Sequence, residues 1–266
     1  MASRRGVRGR RARNLHLKGA ALLIGIGIAI LAVILVVQRV QPPRLGADLC
    51  PESGPTSLLA ILVDSTDALS EAQLLDVRNR IVSGIQRAPA GTGVQIWRVT
   101  AERSGLPEPI APVMCRPERE PDPLYQNVKT VKANYAKFEH DALAQVDTSL
   151  AAGPQTQSPI LEAMQAVTLK TFNAPRYASV PVRTLWLVSD LRQNTPLLSF
   201  INDVPSFGTL KQHAQYDRLR SDLSRVSVKV LFLSRPSGGV RALVQFWQEA
   251  IGDFGGTLAE VERITG

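Results

Sequence analysis

Nineteen consecutive residues, Gly19 to Val37, carry neither a charge nor a hydrogen-bonding side chain. At about 1.5 Å of rise per residue, a helix of that length reaches roughly 28 Å, close to the ~30 Å hydrocarbon core of a bilayer. A helix satisfies its own backbone polar groups, which is the condition for crossing lipid. Before the run stand Arg4, Arg5, Arg8, Arg10, Arg11, Arg13 and Lys18, with no acid among the first eighteen residues. Lys/Arg-rich flanks stay in the cytoplasm. The sequence therefore predicts a basic cytoplasmic tail over 1–18, one transmembrane helix over 19–37, a tether over 38–56 and an extracytoplasmic domain over 57–266. Gly25 and Gly27 do not form a GxxxG pair, so no helix-dimerisation face is expected. A cleaved signal peptide is the competing reading. It fits less well, because the run exceeds the usual ~7–15 residues and Gln38-Arg-Val-Gln-Pro-Pro43 offers no small-x-small cleavage site.

The net charge of +8 suggests nucleic acid only until its distribution is read: seven of those charges belong to the first eighteen residues. The remaining body is nearly neutral, so no nucleic-acid partner is expected for it. The tail sets topology, with contact to anionic lipid or cytoplasmic nucleic acid as its alternative role. Usage rich in Arg and Ala hints at a GC-rich bacterium, which would make this an inner-membrane protein with a periplasmic domain.

Both cysteines, Cys50 and Cys115, lie beyond the apolar run in proline-flanked chain. An exported domain meets an oxidising environment, where such a pair closes into a disulfide. A bridge across that loop would stabilise by about 3–4 kcal/mol through chain entropy. Two free buried thiols are the alternative for a cytosolic domain. Neither CxxC spacing nor a Cys/His cluster is present, which argues against structural zinc.

Beyond the tether the pattern alternates. Ser57 to Val63 is a continuous apolar run, the mark of a strand buried on both faces. Helices are predicted from Ser70 to about Arg87, over 127–151, from Pro159 to Phe172, over 207–224 and over 240–254. Strands are predicted at Val94–Thr100, Val182–Ser189 and Ser227–Ser234, with a short one at Ile110–Met114. Residues 257–264 read as an edge strand or a ragged end. The alternation implies an α/β fold, doubly wound, with a mostly parallel sheet and helices on both faces. Trp97, Trp186 and Trp247 read as core.

In such sheets ligands bind at the carboxyl ends of the strands. The polar residues there are Asp64, Ser65, Thr66 and Asp67 after the first strand, Ser158 before the helix at 159–172, and Asp190 after the strand at 182–189. Carboxylates and hydroxyls brought together offer hard oxygen ligands suited to Mg²⁺ or Ca²⁺. The structural alternative is that Asp64 and Asp190 cap the helices that follow, with Ser70 sharing that role.

These segments resemble the von Willebrand factor type A family. Asp64-Ser-Thr-Asp-Ala68 is similar to the family's Asp-x-Ser-x-Ser adhesion motif, Thr156-Gln-Ser-Pro-Ile-Leu-Glu-Ala-Met164 to its second loop, and Leu187-Val-Ser-Asp190 to its third. The run Phe246 to Gly256 resembles its last helix with terminal glycines. The resemblance implies a metal held by Asp64, Thr66, Ser158 and Asp190, with Mg²⁺ (or Ca²⁺ or Mn²⁺) as the ion. Ala68 replaces the third motif hydroxyl, and Thr156 is an alternative to Ser158. The function implied is a protein-binding module that docks an unidentified partner through that ion. A structural subunit of an envelope assembly is the alternative, favoured by Ala68. An enzyme, such as an α/β hydrolase using Asp64, is not expected: GxSxG, HExxH, P-loop and GxGxxG motifs are lacking, and His140 and His213 sit in polar helical contexts.

Overall fold

The computed structural model describes residues 21–35, 43–101, 107–123, 126–151, 153, 155–235 and 239–265. The chain forms two compact units, one of Met1–Pro43 with Asp122–Gln126 and one of Arg44–Pro121 with Asn127–Gly266. In the first, residues 21–35 are helical with exposed side chains. Among the described residues no helix is long and apolar enough to cross a membrane. Residues 19–20 and 36–37 of the expected span, and the tail 1–18, lie outside the described residues.

The second unit is the expected doubly wound α/β fold. Its elements in chain order are β1 (Ser57–Val63), α1 (Glu71–Arg87), β2 (Thr92–Arg98), β3 (Met114–Cys115), α2 (Val128–Leu150), α3 (Ile160–Val167), β4 (Val182–Ser189), α4 (Phe207–Lys211), α5 (Tyr216–Leu219), β5 (Val226–Leu233), α6 (Val240–Asp253) and β6 (Thr257–Ile264). The sheet order is β3-β2-β1-β4-β5-β6. Within this sheet β2 and β3 pair antiparallel, and the other neighbouring strands pair parallel.

The apolar run of β1 has a direct structural reason. Successive side chains alternate between faces: Leu58, Ala60 and Leu62 join the core beneath α3 and α6, while Leu59, Ile61 and Val63 join the core beneath α1 and α2. Trp97 and Trp247 are fully buried in the first of these cores. Trp186 is only partly buried, packed over α1 where a Cβ on Gly84 would overlap its ring. α1 begins with a capping box, in which the Ser70 hydroxyl accepts from the Gln73 N–H and the Gln73 side chain accepts from the Ser70 N–H.

Three expectations need correction. The helix over 207–224 is two short helices, α4 and α5, with an irregular stretch after them. Between them the His213 imidazole Nδ1 accepts from the Gln215 N–H, a local bond that competes with helix continuation. The short strand expected at 110–114 is displaced to Met114–Cys115. Pro107, Pro109, Pro112 and Pro117 remove the donors that a longer ladder would need. The helix at 159–172 is α-helical to Val167 and a π-helical turn over Thr168–Phe172, where the Thr168 hydroxyl donates to the Met164 carbonyl. Residues 257–264 form the edge strand β6, whose Glu260 and Glu262 pair with Lys229.

The cysteines pair. Cys50 and Cys115 are joined with Cα atoms 4.6 Å apart and 65 residues between them in sequence. The Cys115 N–H also donates to the Asp48 carbonyl at 2.9 Å, and Leu49 is buried, so the chain packs on the body from Asp48 onward. Replacing both cysteines by alanine should cost about 3–4 kcal/mol, a fall in Tm of roughly 10 °C for a domain of this size. Thermal unfolding of the double variant, and of the wild type under reductant, measures it.

Candidate functional site

The site lies at the carboxyl end of the two adjacent central strands, β1 and β4. The Asp64 N–H donates to the Val188 carbonyl at 2.8 Å, one rung beyond β1. Alternation along the strand turns the Asp64 side chain to the side of Leu62, where α3 begins. Its carboxylate is buried and takes four hydrogen bonds. Oδ1 accepts from the Thr66 hydroxyl at 2.6 Å and the Thr66 N–H at 3.2 Å. Oδ2 accepts from the Ser189 hydroxyl at 2.8 Å and the Ser158 hydroxyl at 3.0 Å. A carboxylate has about four lone-pair positions. All are used.

The surrounding loops are held by their own bonds. Ser65 donates from its hydroxyl to the Ser149 carbonyl near the end of α2, and the Gln155 N–H donates to the Thr66 carbonyl. Ser158 and Asn194 exchange both backbone hydrogen bonds at 2.9 Å. The buried Gln193 side chain accepts from the Leu161 N–H at 3.0 Å, satisfying one of the free donors at the start of α3. Leu191 takes the left-handed conformation at φ 64°, with its carbonyl accepting from the Trp247 indole N–H at 2.9 Å.

Asp64, Thr66, Ser158 and Asp190, the residues singled out in the sequence, are all buried and converge here. Ser158 and not Thr156 faces the site: Thr156 is exposed, and its carbonyl accepts from the Asn194 side chain. Neither aspartate caps a helix. Ser70 caps α1, Asp190 Oδ1 accepts from the Arg192 N–H at 3.0 Å in a local turn, and α4 is capped by Ser206. His140 and His213 are exposed, away from this cluster.

Two members escaped the sequence reading. Ser189 is fully buried and completes the Asp64 bonds. Arg235 follows β5, and its Nη1 donates to the Ala68 carbonyl at 2.8 Å. Its Nε lies 3.6 Å from Asp190 Oδ2, and its Nη2 lies 4.0 Å from the exposed Asp67. The strand-end rule, applied to β5 as it was to β1 and β4, points to Arg235.

The donor chemistry suits a hard cation. The Thr66 and Ser158 hydroxyls spend their protons on Asp64 and keep oxygen lone pairs. Asp190 adds a carboxylate, and water would have to complete the sphere, as Mg²⁺ allows. Among the described residues no three His, Cys, Asp or Glu side chains form a metal-binding group. With every acid ionised, Asp64, Asp67, Asp190 and Arg235 carry two net negative charges.

Burial pushes the Asp190 carboxyl up to about 6; the Arg192 N–H opposes the rise, nearby Asp64 adds to it, Arg235 opposes it and Asp67 adds to it. The folded value lies above the unfolded one, near 3.8. The folded state therefore binds the proton more tightly, and stability falls as pH rises from about 4 through 6. Asp190→Asn should remove that loss. In chelator the variant should be more stable than wild type by on the order of 2–3 kcal/mol at pH 7–8, with the difference gone near pH 4. Denaturant unfolding across that range checks both sign and window.

No protein-family profile matches the chain, and no curated protein matches it. Solved structures similar to it include the SpRpn10 VWA domain, at 12% identity over 78% of this chain and 87% of that chain, TM-score 0.41. A von Willebrand factor type A protein from Catenulispora acidiphila is similar at 10% identity over 80% of this chain and 39% of that chain, TM-score 0.46. An aerotolerance-related membrane protein from Bacteroides fragilis is similar at 12% identity over 79% and 92% of the two chains, TM-score 0.40. The first two bear the name of the family that the sequence resembles.

Proposed function

We propose that this chain is a membrane-anchored type A module that docks a partner protein outside the cytoplasm through a divalent cation. The observation that carries the reading is the Asp64 carboxylate, which collects the hydroxyls of Thr66, Ser158 and Ser189 from three chain segments at the strand ends. The motif resemblance and the sheet order β3-β2-β1-β4-β5-β6 support it from outside the site. Thr66, Ser158 and Asp190 would hold Mg²⁺, or Mn²⁺ in its place, with Asp64 orienting the two hydroxyls. When bound, the ion supplies an electrophilic point to which a partner's oxygen ligand can add. The protein's own residues fix the loops and turn the hydroxyl oxygens toward the cation.

Titration of the full chain in detergent with Mn²⁺ and Mg²⁺ should give saturable heat, weakened about tenfold or more in Ser158→Ala. Equal heats in the two proteins, or none in the wild type, would remove the ion from the function. The second reading, a structural envelope subunit without metal, draws on Ala68 and on Arg235 as an internal cation.

Membrane anchoring rests on the apolar run 19–37 behind its arginine-rich flank. A periplasm-active reporter fused after Gly266 should be active, and a cytoplasm-active one silent. The reverse pattern would place the domain inside the cell.

A further inference from the structure

The geometry points to Arg235 as a displaceable counter-cation: it holds Asp190 in the metal-free protein and leaves it when a divalent ion binds, a role that rests on the cation-docking reading. The guanidinium touches two loops. Its one hydrogen bond among those described goes to a neutral acceptor, the Ala68 carbonyl, at 2.8 Å. Its approaches to Asp190 and Asp67, 3.6 and 4.0 Å, are longer than the ~2.7–2.9 Å of a charge-assisted hydrogen bond. Its Nε is buried with no hydrogen-bond partner. The guanidinium is thus held to the acids by charge and to the protein by one carbonyl, which is a weak latch.

A divalent ion competes on better terms. Coulomb energy scales with charge over distance. Mg²⁺ carries twice the charge and reaches an oxygen ligand at about 2.0–2.1 Å. Against one charge at 3.6 Å, the bare attraction of Asp190 for the ion is roughly 3.5 times as large. Desolvation reduces that margin, since Mg²⁺ gives up water reluctantly, but its direction stands. Arg235 is partly exposed, so it has somewhere to go when released. Because Asp190 is both the acid that the arginine holds and one that the ion would ligate, the arginine tunes affinity: it offsets the Asp190 charge without metal and sets the concentration at which metal enters.

Arg235→Gln separates the two halves of this idea. In the full chain with chelator, the variant should unfold at lower temperature than wild type, and the loss should largely vanish in the Asp190→Asn background. In Mn²⁺ titrations it should bind about tenfold tighter than wild type. An equal Tm loss with and without Asp190 would show ordinary packing, and Mn²⁺ affinity equal to or weaker than wild type would show no competition; either overturns the proposal while the docking reading stands. Binding by neither protein would overturn both displacement and the docking reading, and the thermal cycle alone would then decide whether Arg235 is a counter-cation.

Discussion

One buried carboxylate organises this end of the molecule. Asp64 accepts from the Thr66 N–H and from three hydroxyls, and those donors come from the β1 loop, the segment before α3 and the end of β4. Three stretches of chain far apart in sequence are thereby held to one side chain. Without its oxygens, buried hydroxyls would lose their acceptor, at about 1–3 kcal/mol for each group left unsatisfied. The same bonds orient the site, since every proton given to Asp64 leaves an oxygen lone pair free to face elsewhere.

That carboxylate can be buried only because the sheet around it is complete. β1 lies between β2 and β4, so Asp64 and Asp190 end neighbouring strands although 126 positions separate them in the numbering. Apolar side chains close both faces below. Polar loops close the end above, each with its own tie: Ser65 to α2, Gln155 to Thr66, Ser158 to Asn194. Burial at this end has a cost, and the raised Asp190 carboxyl registers it. Buried acids that outnumber the nearby basic groups attract cations from inside the protein or from solvent.

The four central strands, most helices and the disulfide were legible from the sequence because each depends on local pattern: two-sided apolar runs, 3.6-residue periodicity, and a pair of cysteines on one side of the apolar run. The strand-end aspartates were legible for the same reason, since a strand's last residue fixes its place in an α/β sheet. Whether Thr156 or Ser158 enters the site was not legible. It depends on the paired backbone bonds between Ser158 and Asn194, and nothing in the spacing records them. Arg235 stands where the strand-end rule points, but a single basic residue after a strand also looks like solvent-facing surface. At the break between α4 and α5 the His213 imidazole accepts from the Gln215 N–H, a local bond that periodicity does not record.

Ala68 and Arg235 are better understood together than apart. Where the resembled motif has a hydroxyl, this chain has only a methyl group at the third position, and the Ala68 carbonyl instead accepts from the Arg235 guanidinium. That guanidinium reaches toward Asp190, the acid at the end of the neighbouring strand. A missing oxygen ligand and an added positive charge act in the same direction: both reduce the advantage of a metal ion over the protein's own cation. The hydroxyls of Thr66 and Ser158 remain fixed on Asp64 by bonds that do not involve the arginine. The loops can therefore stay assembled in either charge state, and Asp190 is the point at which the proposed exchange of cations would act.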